Sequence, residues 1–204
     1  MEPITSLAEL EALYQPLPSL ASTAKEARFI TPHYRKLIEV SPFVTVATVG
    51  PDGMDCSPRG DAGAVVRVID EHTLALPDRR GNNRIDSLRN ILIDPRVALL
   101  FLLPGSGTTF RVNGTAFLTA DADLCKSFEI EGKLPRTVMV IKVETCYFQC
   151  ARAVIRAGLW DQTKHIPRDA LPTAGEILEE LSQHGIDAKA YDDEWPGRAA
   201  KTMW

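Results

Sequence analysis

Residues 76–92 read Leu76-Pro77-Asp78-Arg79-Arg80-Gly81-Asn82-Asn83-Arg84-Ile85-Asp86-Ser87-Leu88-Arg89-Asn90-Ile91-Leu92. The segment predicts a strand end, a basic loop with glycine and asparagine, and then a helix, which is the architecture of a phosphate site. Backbone N–H groups at a helix start lack intrahelical partners and sit at the positive end of the helix dipole, so an anion there gains hydrogen bonds and favourable charge together. Arg79, Arg80 and Arg84 would add forked donors matched to phosphate oxygens. Asn82 or Asn83 is the expected N-cap, Gly81 allows a positive φ, and Ile85, Leu88, Ile91 and Leu92 should form one apolar face. Asp94-Pro95 ends the helix. The competing reading is an ordinary capped helix with solvated arginines.

Around this segment the chain is β-rich. Phe43–Val49 predicts a strand, Gly50-Pro51-Asp52-Gly53 a turn, and Met54–Ser57 the returning strand of a hairpin. Ala64–Ile69 and Thr73–Leu76 follow as strands, and Val97–Leu103 is apolar enough to predict a strand buried on both faces. Thr109–Thr119 alternates, Asp121–Ile130 reads as a short helix, and Thr137–Phe148 supplies a long last strand. Six or more strands with few long connections favour an antiparallel barrel over a doubly wound sheet. A single domain over 1–204 is expected, with a helical N-terminal segment at 1–40, the barrel at 41–150 and a helical extension at 151–204. In that extension, Thr173 opens a helix with Ile177, Leu178 and Leu181 on one face, and residues 187–204 need a surface to dock on.

The 204 residues are 45% hydrophobic and 25% charged, with a net charge of −4 at pH 7. That composition predicts a globular protein without general polyanion affinity, so the arginines of the loop read as one local anion site and no nucleic-acid partner is expected. The first residues lack a signal-like pattern, and no apolar run is long enough for a membrane span, so the cytoplasm is the expected location and no membrane association is expected. Cys56, Cys125, Cys146 and Cys150 fit neither a redox pair nor a zinc knuckle; they read as buried or half-buried thiols, and no metal is expected. His33, His72, His165 and His184 have no partner in a hydrolytic motif.

Taken in order, Phe43–Val49 with Pro51-Asp52-Gly53, Ser57-Pro58-Arg59-Gly60-Asp61, the Leu76–Arg84 loop, Asp94-Pro95-Arg96-Val97, Arg111-Val112-Asn113-Gly114, and Cys146-Tyr147-Phe148-Gln149-Cys150 running towards Gly158-Leu159-Trp160 resemble the FMN-binding pyridoxamine 5′-phosphate oxidase-like flavoproteins. The similarity spans about residues 20–185. It implies a mainly β protein, a split antiparallel β-barrel with peripheral N- and C-terminal helices, assembled as a homodimer with FMN in clefts at the subunit interface. It places the FMN phosphate on Arg79, Asn82, Asn83 and Arg84, with Arg80 beside them and Pro77 and Asp78 in the same loop. Arg59 and Asp61 would reach the ribityl chain and flavin, Arg111 would contribute from its strand, and Arg156 and Trp160 would fall where the partner subunit covers the ring. The chain departs from the pyridoxal-forming enzymes after Trp160, where their substrate-binding Arg-and-Trp segment has no counterpart, so little activity of that kind is expected.

Alternatives remain for single residues. Arg59 could pair with Asp61 across a turn, and Trp160 could be core or interface. Arg111 needs an anion or other partner if it points inward. The resemblance implies an FMN-dependent oxidoreductase that passes a hydride or electrons between a reduced nicotinamide or small organic donor and an acceptor; no catalytic acid or nucleophile is needed, since the flavin carries the redox step. The alternatives are a flavin-binding or storage protein, or a relative using the deazaflavin F420 or haem.

Overall fold

A computed structural model describes residues 1–204. Seven strands form one antiparallel sheet: β1 (Phe43–Gly50), β2 (Gly53–Gly60), β3 (Arg67–Asp70), β4 (Thr73–Pro77), β5 (Arg96–Leu102), β6 (Thr109–Thr119) and β7 (Val138–Gln149), in the order β2-β1-β5-β6-β7-β4-β3. Helices α1 (Leu7–Leu13), α2 (Leu20–Thr23) and α3 (Pro32–Glu39) precede the sheet, α4 (Asp86–Ile93) and α5 (Ala122–Lys126) interrupt it, and α6 (Arg152–Ala157), α7 (Ala174–Leu181) and α8 (Ala188–Thr202) follow it. The protein is therefore mainly β with peripheral helices. No helix is long and apolar enough to cross a membrane.

Alternation along the strands selects the inner face. Val44 and Val46 of β1, Leu99 and Phe101 of β5, Phe110 and Val112 of β6, Ile141 of β7, Leu74 of β4 and Val68 of β3 all join one buried cluster. Strands far apart in the sheet order thus meet on common side chains, so the sheet wraps around its own core. Helix α3, capped by Thr31 with Pro32 in its first turn, buries Ile38 completely and stacks Tyr34 on Phe110 with ring centroids 4.8 Å apart. Helix α5 starts a second small cluster, in which Cys125 and Phe128 cover Ala75, Val138 and Val140 on the opposite face of β4 and β7.

Several expectations are corrected here. Strand β5 is fully buried on one face only: Val97, Leu99 and Phe101 point inward, while Ala98, Leu100 and Leu102 on the other face are half-buried. Helix α4 starts at Asp86 instead of directly after Asn82 or Asn83, since Asn83 adopts φ 61° and breaks the helical path; Gly81 is not the positive-φ residue. Its N-cap position is held by Ile85, without a side-chain cap, in place of Asn82 or Asn83. Ile91 is buried, but Leu92 is exposed, so the predicted apolar face is narrower. Strand β3 omits residues 64–66, and α5 stops at Lys126. In α7, Ile177 and Leu181 are exposed. Cys125 and Cys146 are buried as expected, whereas Cys56 and Cys150 are exposed.

The register of β6 on β7 shifts between Asn113 and Gly114, and a Cβ at Gly114 would collide with the Lys142 carbonyl oxygen. Because that neighbour is backbone, the strands would have to part. Gly114→Ala should lower stability by about 1–3 kcal/mol, measured as the shift in a urea unfolding midpoint.

Candidate functional site

A large cleft, of ≈ 1310 Å³, opens where four segments converge: the end of β2 and the residues after it, the loop from β4 into α4, the first turns of α4, and the loop leading into β7. It exceeds the range of about 300–1,000 Å³ usual for small-molecule pockets. Strand pairing explains the convergence. Pro77 lies opposite Val138 in the β4–β7 ladder, and the Asp78 N–H continues it by donating to the Thr137 carbonyl at 2.9 Å. The chain on either side, Arg79–Arg84 and Lys133–Arg136, is thereby held along one wall.

Arg79 is the fixed point of that wall. Its Nε donates to Asp61 Oδ2 at 2.8 Å and its Nη1 to the Phe128 carbonyl at 2.7 Å, with only 17% of the Arg79 side chain and 13% of Asp61 exposed. Arg59 does not take Asp61 as its partner; its Nη1 donates to the Pro58 carbonyl at 2.8 Å. Arg84 is largely exposed and pairs with Asp86 at 2.8 Å, a contact worth little in water and readily exchanged for a ligand anion. The Asn82 side-chain oxygen accepts from the Arg84 N–H at 3.0 Å, and Asn83 Oδ1 accepts from Arg136 Nη1 at 3.4 Å.

Helix α4 presents its N-terminus to the cleft. The N–H groups of Asp86, Ser87 and Leu88 have no acceptor within the chain. The helix is seated from below: Ser87 Oγ and Ser57 Oγ both donate to Asp55 Oδ2, at 2.7 and 3.1 Å, and Asn90 Nδ2 donates to the buried Thr48 Oγ1 at 3.0 Å.

The lining carries seven cationic side chains, Arg59, Arg79, Arg80, Arg84, Arg89, Lys133 and Arg136, against the four carboxylates Asp55, Asp61, Asp78 and Asp86. A protein of net charge −4 thus keeps a cationic cleft. Burial pushes the Asp78 carboxyl above its ordinary value, and the charges of Arg59 and Arg136 pull it partly back.

Of the residues predicted from sequence, Arg59, Asp61, Pro77, Asp78, Arg79, Arg80, Asn82, Asn83 and Arg84 share this cleft. Arg111, Arg156 and Trp160 do not line it within the protomer. Arg111 Nη1 donates to the Tyr147 hydroxyl at 2.9 Å, Arg156 Nε donates to the Arg152 carbonyl at 3.4 Å, and Trp160 Nε1 donates to the Ser106 carbonyl at 2.7 Å. Sequence reasoning missed Asp55, Ser57, Ser87, Arg89, Lys133, Arg136 and Trp204. The signal for two of these was the run Lys133-Leu134-Pro135-Arg136 directly before the last strand, readable only once that strand is known to pair with β4.

A sequence profile of the pyridoxamine 5′-phosphate oxidase family matches residues 30–150, more than half of the chain. The chain belongs to the pyridoxamine 5′-phosphate oxidase family. The matched residues include every strand of the sheet and the whole arginine loop. No significant match is found among curated protein sequences. Among solved structures, HupZ of Group A Streptococcus is 21% identical with a TM-score of 0.49, the match covering 59% of this chain and 94% of that one. General stress protein 26 of Bacillus anthracis is 18% identical with a TM-score of 0.43, covering 55% and 88%. An FMN-binding protein of Syntrophomonas wolfei is 16% identical with a TM-score of 0.43, covering 56% and 82%.

Asp78 gives the cleft a test in pH. Its raised folded-state pKa means that the folded chain binds the proton more tightly than the unfolded chain, so stability falls as pH rises from the ordinary carboxylate pKa through the raised one; below both, the two states are equally protonated and nothing is lost. Asp78→Asn should therefore be more stable than the parent at pH 7, with the advantage fading below about pH 4, as read from urea midpoints across pH.

Proposed function

We propose that the protein binds FMN in this cleft and acts as an FMN-dependent oxidoreductase, assembled as a homodimer with the cofactor at the subunit interface. The observation that carries the reading is the uncapped N-terminus of α4 beside Arg80 and Arg84, a cationic cradle with three free N–H donors in a chain that is acidic overall. When bound, the flavin supplies the hydride or electron chemistry. The chain's own residues bind and orient it. Arg84 exchanges its exposed partner Asp86 for the phosphate, Arg80 adds charge, and Asn82 and Asn83 shape the loop. Arg79 is already committed to Asp61 and Phe128, so it positions the loop and leaves the phosphate to its neighbours. Arg59, Asp61, Pro77 and Asp78 lie along the rest of the cleft, where the ribityl chain and ring would run.

The electron donor in this reading is a reduced nicotinamide or small organic molecule. None of the four histidines lines the cleft, so the protomer offers no imidazole there for a haem iron. Mass spectrometry of ligand released from the purified protein should show FMN in place of FAD or riboflavin. Arg84→Ala should weaken FMN by about 1.5–3 kcal/mol, the range for hydrogen bonds to a charged group, with the unfolding midpoint unchanged. Equal FMN affinity in the variant and the parent overturns the assignment, and absence of bleaching on anaerobic addition of NADH or NADPH removes the nicotinamide donor from it.

Support for the homodimer comes from the outer sheet face. Thr45, Ala47 and Val49 of β1 and Ala98, Leu100 and Leu102 of β5 are half-buried on one face of the sheet, and Arg111 of β6 stands on the same face. A closed two-fold contact is the commonest cover for such a surface. Light scattering should give a dimer mass, and Leu100→Arg should give a monomer that no longer retains FMN on gel filtration.

A further inference from the structure

Trp204 is the one aromatic side chain among the residues lining the cleft; the rest are cationic, acidic, polar or aliphatic. It lies outside the residues matched by the family profile, and it reaches the site by an independent route. Helix α8 pairs with α7, where the Gly175 N–H donates to Asp192 Oδ1 at 3.0 Å and a Cβ at Gly175 would collide with the Ala188 carbonyl oxygen. No residue of α8 is itself buried, yet two residues beyond its end the Trp204 indole stands half-buried in the cleft, 5.8 Å from the Arg79 guanidinium. That guanidinium is held in place by Asp61 and the Phe128 carbonyl, so it gives the indole a fixed cationic seat. A cation–π contact of this length is weak, and the ring can therefore re-seat against a ligand at little cost.

We propose that Trp204 is the ring-stacking wall of the cleft, the side chain against which a planar conjugated ligand, here the flavin ring, lies. The assignment rests on the FMN reading above and adds to it a contact residue that the arginine loop does not supply. The loop recognises the charged end of the ligand. The indole recognises its flat end, and stacking of two aromatic systems adds attraction beyond buried area.

The test uses the full chain with FMN as the probe and measures both affinity and the emission of the bound flavin, because an indole in contact with a flavin ring quenches its fluorescence. The parent should bind FMN with emission several-fold below that of free FMN. Trp204→Leu should bind it about 3- to 10-fold more weakly and restore most of the emission, Trp204→Phe should lie between, and Trp195→Phe should stay quenched. Trp204 is half-exposed near the end of the chain, and equal circular dichroism of parent and variants will show that the fold is kept. A tail that merely tethers α8 would leave the emission unmoved. If the parent binds FMN and Trp204→Leu remains as quenched as the parent, or if the parent's bound FMN is not quenched, the stacking assignment fails and the FMN reading stands. If the parent binds no FMN, both fall together.

Discussion

The ion pair between Asp61 and Arg79 ties three distant pieces of chain into one wall. Asp61 follows β2, Arg79 follows β4, and the Phe128 carbonyl that takes the second guanidinium donor follows α5. Both charged side chains are mostly removed from water, where an unpaired guanidinium would be costly, so the loop from β4 into α4 can adopt its path only with the pair made. Everything the loop presents depends on that anchor. Arg80 and Arg84 remain exposed one and five residues farther on, and the Trp204 indole rests against the anchored guanidinium itself.

The arginines in this stretch therefore divide their work by burial. A buried, doubly bonded guanidinium makes structure, and an exposed one with a single nearby carboxylate stays available to a ligand. The same division runs through the carboxylates. Asp55 is held by two hydroxyls and Asp61 by Arg79, while the Asp78 carboxylate accepts no hydrogen bond and is pushed up by burial. The cleft is cationic because its acids are mostly spoken for and several of its bases are not. In a chain of net charge −4 such a contrast concentrates positive potential in one place.

Much of this was legible in the sequence, and the failures have common causes. Strands β1, β4, β6 and β7 fell within a residue or two of expectation: β1 and β6 alternate over one buried face, and β4 and the start of β7 are apolar runs buried on both faces. The apolar run of β5 misled because Leu100 and Leu102 lie on the half-buried outer face, and a single sequence carries no mark of what covers a face. The start of α4 was misplaced because Asn83 takes a left-handed conformation in a loop already shaped by Asn82, a choice that the Arg136 contact supports from another part of the chain. Arg136, Lys133 and Trp204 were missed for the same reason: each enters the cleft through a long-range pairing, and none stands in a recognisable local motif. Arg79 was recognised as part of the site, but its partners, and hence its structural role, lie in distant segments.

Helix α4 starts differently from most of the other helices. Helices α1, α3, α5, α7 and α8 each begin with a Ser, Thr or Asp whose side chain accepts from a first-turn N–H. Helix α4 has Ile85 at its N-cap, whose side chain has no acceptor to offer, although asparagines stand two and three residues earlier. Forgoing a side-chain cap costs about 1 kcal/mol, and here the loss is offset by tertiary anchors: Ile91 in the core, Ser87 on Asp55 and Asn90 on Thr48. A helix held this firmly from its sides does not need a cap to stay folded. Helices α2 and α6 also start without a side-chain cap, but α4 is the uncapped helix whose first turn lines the cationic cleft, so its three unpaired donors stand beside Arg80 and Arg84.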